Sequence, residues 1–266
     1  MLTEHVTHQH DEGAVLLEQR GSIATITLAR PAALNALTWA MYRQMEAHLE
    51  RLATDENTRV IILHGAGKAF AAGTAIQQFQ GFTAEDGIAY EHHVETIVER
   101  LYSMPKPTIA AIHGYAVGAG LVIASVCDLR YATHASRFGV PIARTLGNCI
   151  TLNNYRHLVD SFGAMRTKEM LFTARLLTAT DALHCGFLTA MIDEARLMTQ
   201  VTEIAQQISA LAPLTMWSVK EAQRRVHAAE EAIDFDDVLA RIYGSADFAE
   251  GVQAYLEKRT PHWRGV

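Results

Sequence analysis

Apolar residues alternate or run together over 15–17 and 23–28, with Gly21 between the two stretches, a pattern that predicts two strands joined by a turn. Arg30-Pro31 ends the second strand. Thr38 is placed to cap a helix running to about residue 53, with Met41, Met45 and Leu49 along one face. The fully apolar run over 60–63 has the pattern of a buried parallel strand. A glycine-rich loop over 65–73, containing Phe70, follows it. Ile88, Val94, Ile97, Val98 and Leu101 carry helical spacing across 86–103, and Pro105 and Pro107 stop that helix. Residues 108–112 read as another buried strand, 114–120 as a small, turn-rich stretch, 121–126 as an apolar helix opening and 129–132 as a strand. Helices and short strands alternate from Arg166 onward, and from Gln206 to about Lys258 the pattern is helical only.

Strands alternating with helices predict an α/β fold with parallel pairing. The change of pattern near residue 205 divides an α/β core, 14–205, from a helical module, 206–266. Residues 1–13 contain no apolar stretch and are expected to form a flexible tail. His5, His8 and His10 belong to that tail, so no metal site is expected from them. At 266 residues, 49% of them apolar, the chain has material for one large domain or one domain with a helical appendage.

Charge and cysteine usage narrow the partners. The net charge is −6 and no basic stripe is present, which argues against nucleic acid. No apolar run reaches the ~18 residues that span a membrane, and the N-terminus has the features of neither a secretory signal nor a transit peptide. Cys127, Cys149 and Cys185 are odd in number and widely spaced, which suits a reducing, cytoplasmic setting better than a disulfide framework.

Five stretches then carry a resemblance. Ile26-Thr-Leu-Ala-Arg-Pro-Ala-Ala-Leu-Asn-Ala-Leu37 resembles the first signature of the crotonase (enoyl-CoA hydratase/isomerase) family. Lys68-Ala-Phe-Ala-Ala-Gly-Thr-Ala-Ile76 resembles its first oxyanion loop, and Lys106-Pro-Thr-Ile-Ala-Ala-Ile-His-Gly-Tyr-Ala-Val-Gly-Ala-Gly120 the second. Cys127-Asp-Leu-Arg-Tyr-Ala132 with Phe138-Gly139 resembles the usual continuation, and 251–259 the family's C-terminal helix. Each motif alone is weak. Their shared order and spacing, from about residue 14 to the end, is not.

The resemblance implies an α/β crotonase-like (ClpP/crotonase) spiral of βαβ units with two roughly perpendicular sheets and a C-terminal helical trimerisation module. It implies acyl-CoA thioester substrates, a homotrimer or a hexamer built as a dimer of trimers, and no cofactor beyond the coenzyme A of the substrate. It also implies a thioester enolate stabilised by two backbone N–H groups, which by motif position are those of Thr74 and Ala119. Flanking glycines allow close approach of backbone to ligand, and a helix opening at Ala119 would favour negative charge there. Coenzyme A contacts are expected from Ala33, Leu34 and Lys68, and from Ala71, Ala72, Gly73, Ala75 and Ile76. Val117, Gly118, Val122, Pro141 and Ile142 are also expected to bind the substrate, and Lys258 and Arg259 either reach a neighbouring subunit's phosphates or are simply solvated.

The chain departs from the family's hydratases at the acid/base positions. The resemblance places two glutamates, which handle water and the α-carbon proton, at positions held here by Val122 and Ile142. Ala75 and His113 also replace an aspartate and an asparagine usual in the family. Asp160 and Glu169 are the next carboxylates along the chain and read as solvated. Glu95 lies at the helix position from which dehalogenase-like members present a working side chain, with His92 and His93 beside it. Glu91, Glu95 and Glu99 together equally suit a plain polar helix face. Cys149 is a second candidate, as nucleophile or acid, against a packed core thiol, and Arg144 a third, as donor to a polar acyl chain. Two functions stay open: an enoyl-CoA hydratase/isomerase-type lyase, isomerase or hydrolase, or an acyl-CoA-binding protein without catalysis.

Overall fold

The computed structural model describes residues 12–228 and 235–266. Strands β1 (Ala14–Arg20) and β2 (Ile23–Ala29) form the predicted hairpin, antiparallel, with Arg20 opposite Ile23. Helix α1 (Trp39–Thr54) is capped by Thr38, whose hydroxyl accepts from the Met41 N–H at 3.2 Å, and it buries Met41, Met45 and Leu49. It leads to β3 (Val60–Gly65), which pairs parallel with β2. Helix α2 (Ala84–Tyr102) starts at a capping box of Thr83 and Asp86, so it begins two residues earlier than the apolar spacing indicates.

Strands β4 (Thr108–Ile112), β5 (Tyr115–Val117) and helix α3 (Ala119–Ser125) follow, then β6 (Leu129–Thr133), β7 (Arg137–Gly139) and the single turn α4 (Ile142–Thr145). After these come α5 (Leu152–Thr173), β8 (Leu177–Thr178), α6 (Ala179–His184), β9 (Ala190–Ile192) and α7 (Leu197–Ser209). The chain ends in α8 (Pro213–Ala228), α9 (Asp236–Tyr243) and α10 (Ala246–Leu256). The main sheet has the order β1-β2-β3-β4-β6-β9 and is parallel from β2 onward. A small second sheet has the order β5-β7-β8. The stretch expected to be turn-rich at 114–120 therefore contains a strand, β5. Three residues are too few to show a period of two.

The central strands are covered on both faces, which is why they read as unbroken apolar runs. Ile61 and Leu63 face the larger core with α1 and α2, whereas Val60, Ile62 and Ile109 face Leu197, Val201 and Ala205 of α7. The expected boundary at 205/206 falls within α7. Helices α9 and α10 fold back onto the core: Leu239, Tyr243, Phe248 and Val252 cluster with Phe79 and Leu146. No described helix is long and apolar enough to cross a membrane.

Candidate active site

Two loops leave the C-terminal ends of β3 and β4 and meet. The first is tied to its neighbours along both sides. Phe70 and Ala71 N–H groups donate to the carbonyls of His113 (2.8 Å) and Tyr115 (3.0 Å), and the Val117 N–H donates back to Ala71 (2.9 Å). On the other side the Leu37 N–H donates to Gly73 and the Ala75 N–H to Leu37, each at 2.8 Å. Buried Asn35 clasps the loop's base. Its Nδ2 donates to the carbonyls of Ala66 (2.8 Å) and Ala69 (2.7 Å), and its Oδ1 accepts from the Arg30 N–H (2.8 Å). His113 has a similar role, with Nε2 3.0 Å from the Gly67 carbonyl.

The loops turn at Gly73 (φ +96) and Gly118 (φ +55), conformations that L side chains rarely adopt. The two glycines pack together, and a Cβ built on Gly118 would lie 3.5 Å from Gly73 Cα. Each is followed by a residue, Thr74 or Ala119, whose N–H has no acceptor among the described residues. Ala119 is the first residue of α3, where helix geometry leaves the N–H free. The Thr74 hydroxyl bridges Tyr42 of α1 (2.7 Å) and Tyr90 of α2 (2.8 Å), fixing the loop between two helices. Burial pushes both phenols upward, so they stay protonated at neutral pH.

Thr74 and Ala119 line one cavity of about 250 Å³. Ala72, Gly73, Ile76, Val117, Gly118, Val122, Pro141, Ile142 and Cys149, all expected at the site, also line it. Ala71 and Ala75 do not. Their side chains are buried behind the loop that their backbones hold in place. Ala33, Leu34 and Lys68 lie outside the cavity, Leu34 and Lys68 on the surface.

The helix α2 candidate is displaced by one turn. Glu95 borders a separate crevice with His92, Thr151, Asn153 and Asp236, and burial there raises its carboxyl, opposed by a hydrogen bond from Asn153. His92 pairs with Asp236 at 2.8 Å, and His93 packs beside the Tyr42 ring, 6.4 Å between centroids. None of the three lines the cavity. Glu91 does. It is 4% exposed, its Oε1 accepts a hydrogen bond from Tyr243 Oη, and its Oε2 has no partner among the described residues. Burial pushes its carboxyl up to about 8. The Tyr243 hydrogen bond opposes that rise, and Glu95 adds to it. The unusual sequence signal for this arrangement is Gly87 inside a helix: Tyr243 lies directly over it, one turn before Glu91.

Cys149 lines the cavity, but burial, together with the nearby Glu91, pushes its thiol up to about 12. That favours the neutral thiol over the thiolate a nucleophile needs. Arg144 is exposed outside the cavity, and among the described residues no Lys, Arg or His lines it. Asn148 donates from Nδ2 to Tyr243 Oη at 3.4 Å, while its buried Oδ1 is left without a partner. Glu169 pairs with Arg166 (2.6 Å) and Arg175 (2.7 Å), Asp160 is exposed, and Arg259 is engaged by Glu250 and Glu257. Lys258 lies just past α10 with φ +56. His5, His8 and His10 lie outside the described residues. Glu99, His157 and His227 bring three ligand atoms within 4.8 Å of one another. The two rings are stacked 4° from parallel, so their in-plane lone pairs run side by side and do not converge on one nearby ion.

A sequence profile of the enoyl-CoA hydratase/isomerase family matches residues 18–266. A probable mitochondrial enoyl-CoA hydratase from Dictyostelium discoideum is 31% identical over 249 residues, 92% of this chain and 89% of that one. A short-chain-enoyl-CoA hydratase from Clostridium acetobutylicum is also 31% identical over 249 residues, covering 92% and 95%. Among solved structures, methylmalonyl-CoA decarboxylase in complex with 2-nitronate-propionyl-CoA superposes with a TM-score of 0.85 at 28% identity, covering 95% of this chain and 98% of that one. With the order of the two sheets, the paired glycine loops and a match over nearly its whole length, the chain belongs to the enoyl-CoA hydratase/isomerase (crotonase) family.

Proposed function

We propose that this family member transforms acyl-CoA thioesters by stabilising a thioester enolate between the N–H groups of Thr74 and Ala119. The observation that carries the reading is the convergence of two positive-φ glycine turns on one apolar cavity, each followed by an N–H without an acceptor among the described residues. When an α-proton leaves, charge builds on the thioester oxygen. Donors already fixed in a dry site stabilise that charge without reorganising, and one such donor is typically worth about 10²–10³ in turnover. The positions that the family resemblance assigns to the hydratase glutamates are Val122 and Ile142, both apolar, so simple hydration is the reaction this site supports least.

Coenzyme A enters as part of the substrate, with its adenine end toward Ala33, Leu34 and Lys68. Met165 and Phe172 on α5, and Leu214 and Val226 on α8, are exposed apolar side chains, which suits contacts within a homotrimer or hexamer. Light scattering after gel filtration measures the assembly.

The test is a panel of 2-enoyl, 3-enoyl, 3-hydroxy and aromatic acyl-CoA esters incubated in heavy-oxygen water and read by mass spectrometry. Conversion of one ester, reduced at least about 100-fold in Gly118→Ala with little change in binding, supports the enolate reading. Binding across the panel with no mass change supports the alternative, an acyl-CoA-binding protein without catalysis. The apolar pair Val122 and Ile142 is the observation in that alternative's favour.

A further inference from the structure

We infer that Glu91 is the residue that moves protons to and from the acyl carbons, that Tyr243 of α9 positions it, and that the acyl groups served are uncharged. The inference rests on the enolate reading above and adds the base that reading lacks. Three observations converge. Among the described residues, Glu91 is the only Asp or Glu lining the cavity that holds Thr74 and Ala119. One of its oxygens is held by Tyr243 and the other has no partner among the described residues. Its neighbour Tyr90 is hydrogen-bonded to the Thr74 hydroxyl, so helix α2 ties the carboxyl and the first N–H loop into one rigid unit.

The step balances without a co-reactant. The Glu91 carboxylate takes a proton from the carbon next to the thioester. The C–H pair becomes the enolate C=C, and the carbonyl π pair moves to the thioester oxygen, against the Thr74 and Ala119 N–H groups. Once the Glu91 carboxyl has swapped its proton with solvent, return of a solvent-derived proton to the same carbon gives exchange, and delivery two carbons along an enoyl chain gives a double-bond shift. Neither path needs a positioned water, in keeping with Val122 and Ile142. A carboxyl that titrates near neutrality is matched to both halves of the transfer. The titratable groups around it are Tyr243 of α9, Tyr42 of α1, Tyr90 and Glu95 on its own helix and Cys149 of the 147–150 loop, and among the described residues none is a cation. A second carboxylate at the acyl end would enter a cavity without Lys, Arg or His and meet Glu91, so an anionic acyl chain is excluded by repulsion and desolvation.

The test is incorporation of deuterium from heavy water into butyryl-CoA, followed by mass spectrometry on the full-length protein over about pH 6.5–9.5, with succinyl-CoA as the anionic comparison. The wild type is expected to exchange butyryl-CoA with a rate that rises to a midpoint near 8, and succinyl-CoA at least about 10-fold more slowly. Glu91→Gln is expected to lose at least about 100-fold in exchange while binding butyryl-CoA normally. Tyr243→Phe removes a donor to the carboxylate, so its midpoint is expected to move to higher pH. A merely structural role for Tyr243 leaves the midpoint in place. Glu95→Gln, outside the cavity, is expected to keep the exchange rate reached at high pH, with its midpoint moved to lower pH because a charge that raises the Glu91 carboxyl is gone. Undiminished exchange in Glu91→Gln, or an unmoved midpoint in Tyr243→Phe, overturns the inference and leaves the enolate reading standing. A wild type that binds butyryl-CoA without any exchange overturns both. Equal exchange of succinyl-CoA overturns the specificity for uncharged acyl groups.

Discussion

Replacing Gly87 by alanine tests whether the last helices are built into the site. Gly87 is buried in α2, and a Cβ placed on it would meet Tyr243 Cγ, Cβ and Cδ1 all closer than 3.0 Å. Ordinary carbon contacts lie at about 3.5–4.0 Å, so the ring and α9 have to retreat by roughly an ångström. Tyr243 is 2% exposed and packs against Phe248 with ring centroids 4.7 Å apart, so it has little room to move. Overpacking of this kind costs about 1–3 kcal/mol. The same substitution improves helix propensity by about 1 kcal/mol. The expected net effect is a loss of up to about 2 kcal/mol, read from the midpoint of urea unfolding at constant slope. The decisive comparison is a cycle with Tyr243→Gly, which removes the Cβ that would lie at 2.4 Å together with the ring. In that background the clash is gone and the propensity gain remains, so Gly87→Ala is expected to change sign and stabilise by roughly 0.5–1 kcal/mol. A Gly87→Ala protein more stable than wild type with Tyr243 in place would refute the packing argument and, with it, the account of how α9 is seated on Glu91.

Asn35→Ala removes the buried clasp on Ala66, Ala69 and Arg30 and is expected to destabilise by about 2–4 kcal/mol and weaken acyl-CoA binding, measured by calorimetry. Glu91 titrates near 8 when folded against 4.5 for a free carboxyl, so between those values the native state holds more protons than the unfolded one. Its contribution to stability is full below about 4.5 and is lost as pH rises through 8, and Glu91→Gln is expected to flatten that fall by roughly 2–4 kcal/mol. Parallel stability curves for the two proteins from about pH 5 to 8.5 would refute the buried titration. The Cys149 thiol, raised to about 12, is expected to alkylate at least about 10-fold more slowly than a free thiol at neutral pH, and Cys149→Ala to keep its activity. Peptide mapping after iodoacetamide treatment checks the first, and the exchange assay the second.

The sequence by itself determined the architecture. Buried parallel strands such as 60–63 and 108–112 are continuous apolar runs because both faces are covered. The glycines at 73 and 118 mark turns that only their backbone freedom allows. Those are local constraints, and they are written locally. The tertiary structure decided which carboxylate of α2 lines the cavity. Glu91 and Glu95 lie one turn apart on the same helix, and nothing in their spacing says which faces the cavity. What separates them is α9, more than 140 residues further along the chain, which seats Tyr243 over Gly87 and holds Glu91 in an apolar wall. Helix α9 also supplies Asp236 and Leu239 to the crevice that takes Glu95. Cys149 likewise reads as a possible nucleophile from its place in a turn, and only its burial beside Glu91 fixes it as a neutral thiol. Ionisation depends on what the rest of the fold removes from water, and burial of that kind has no signature within a single helix turn.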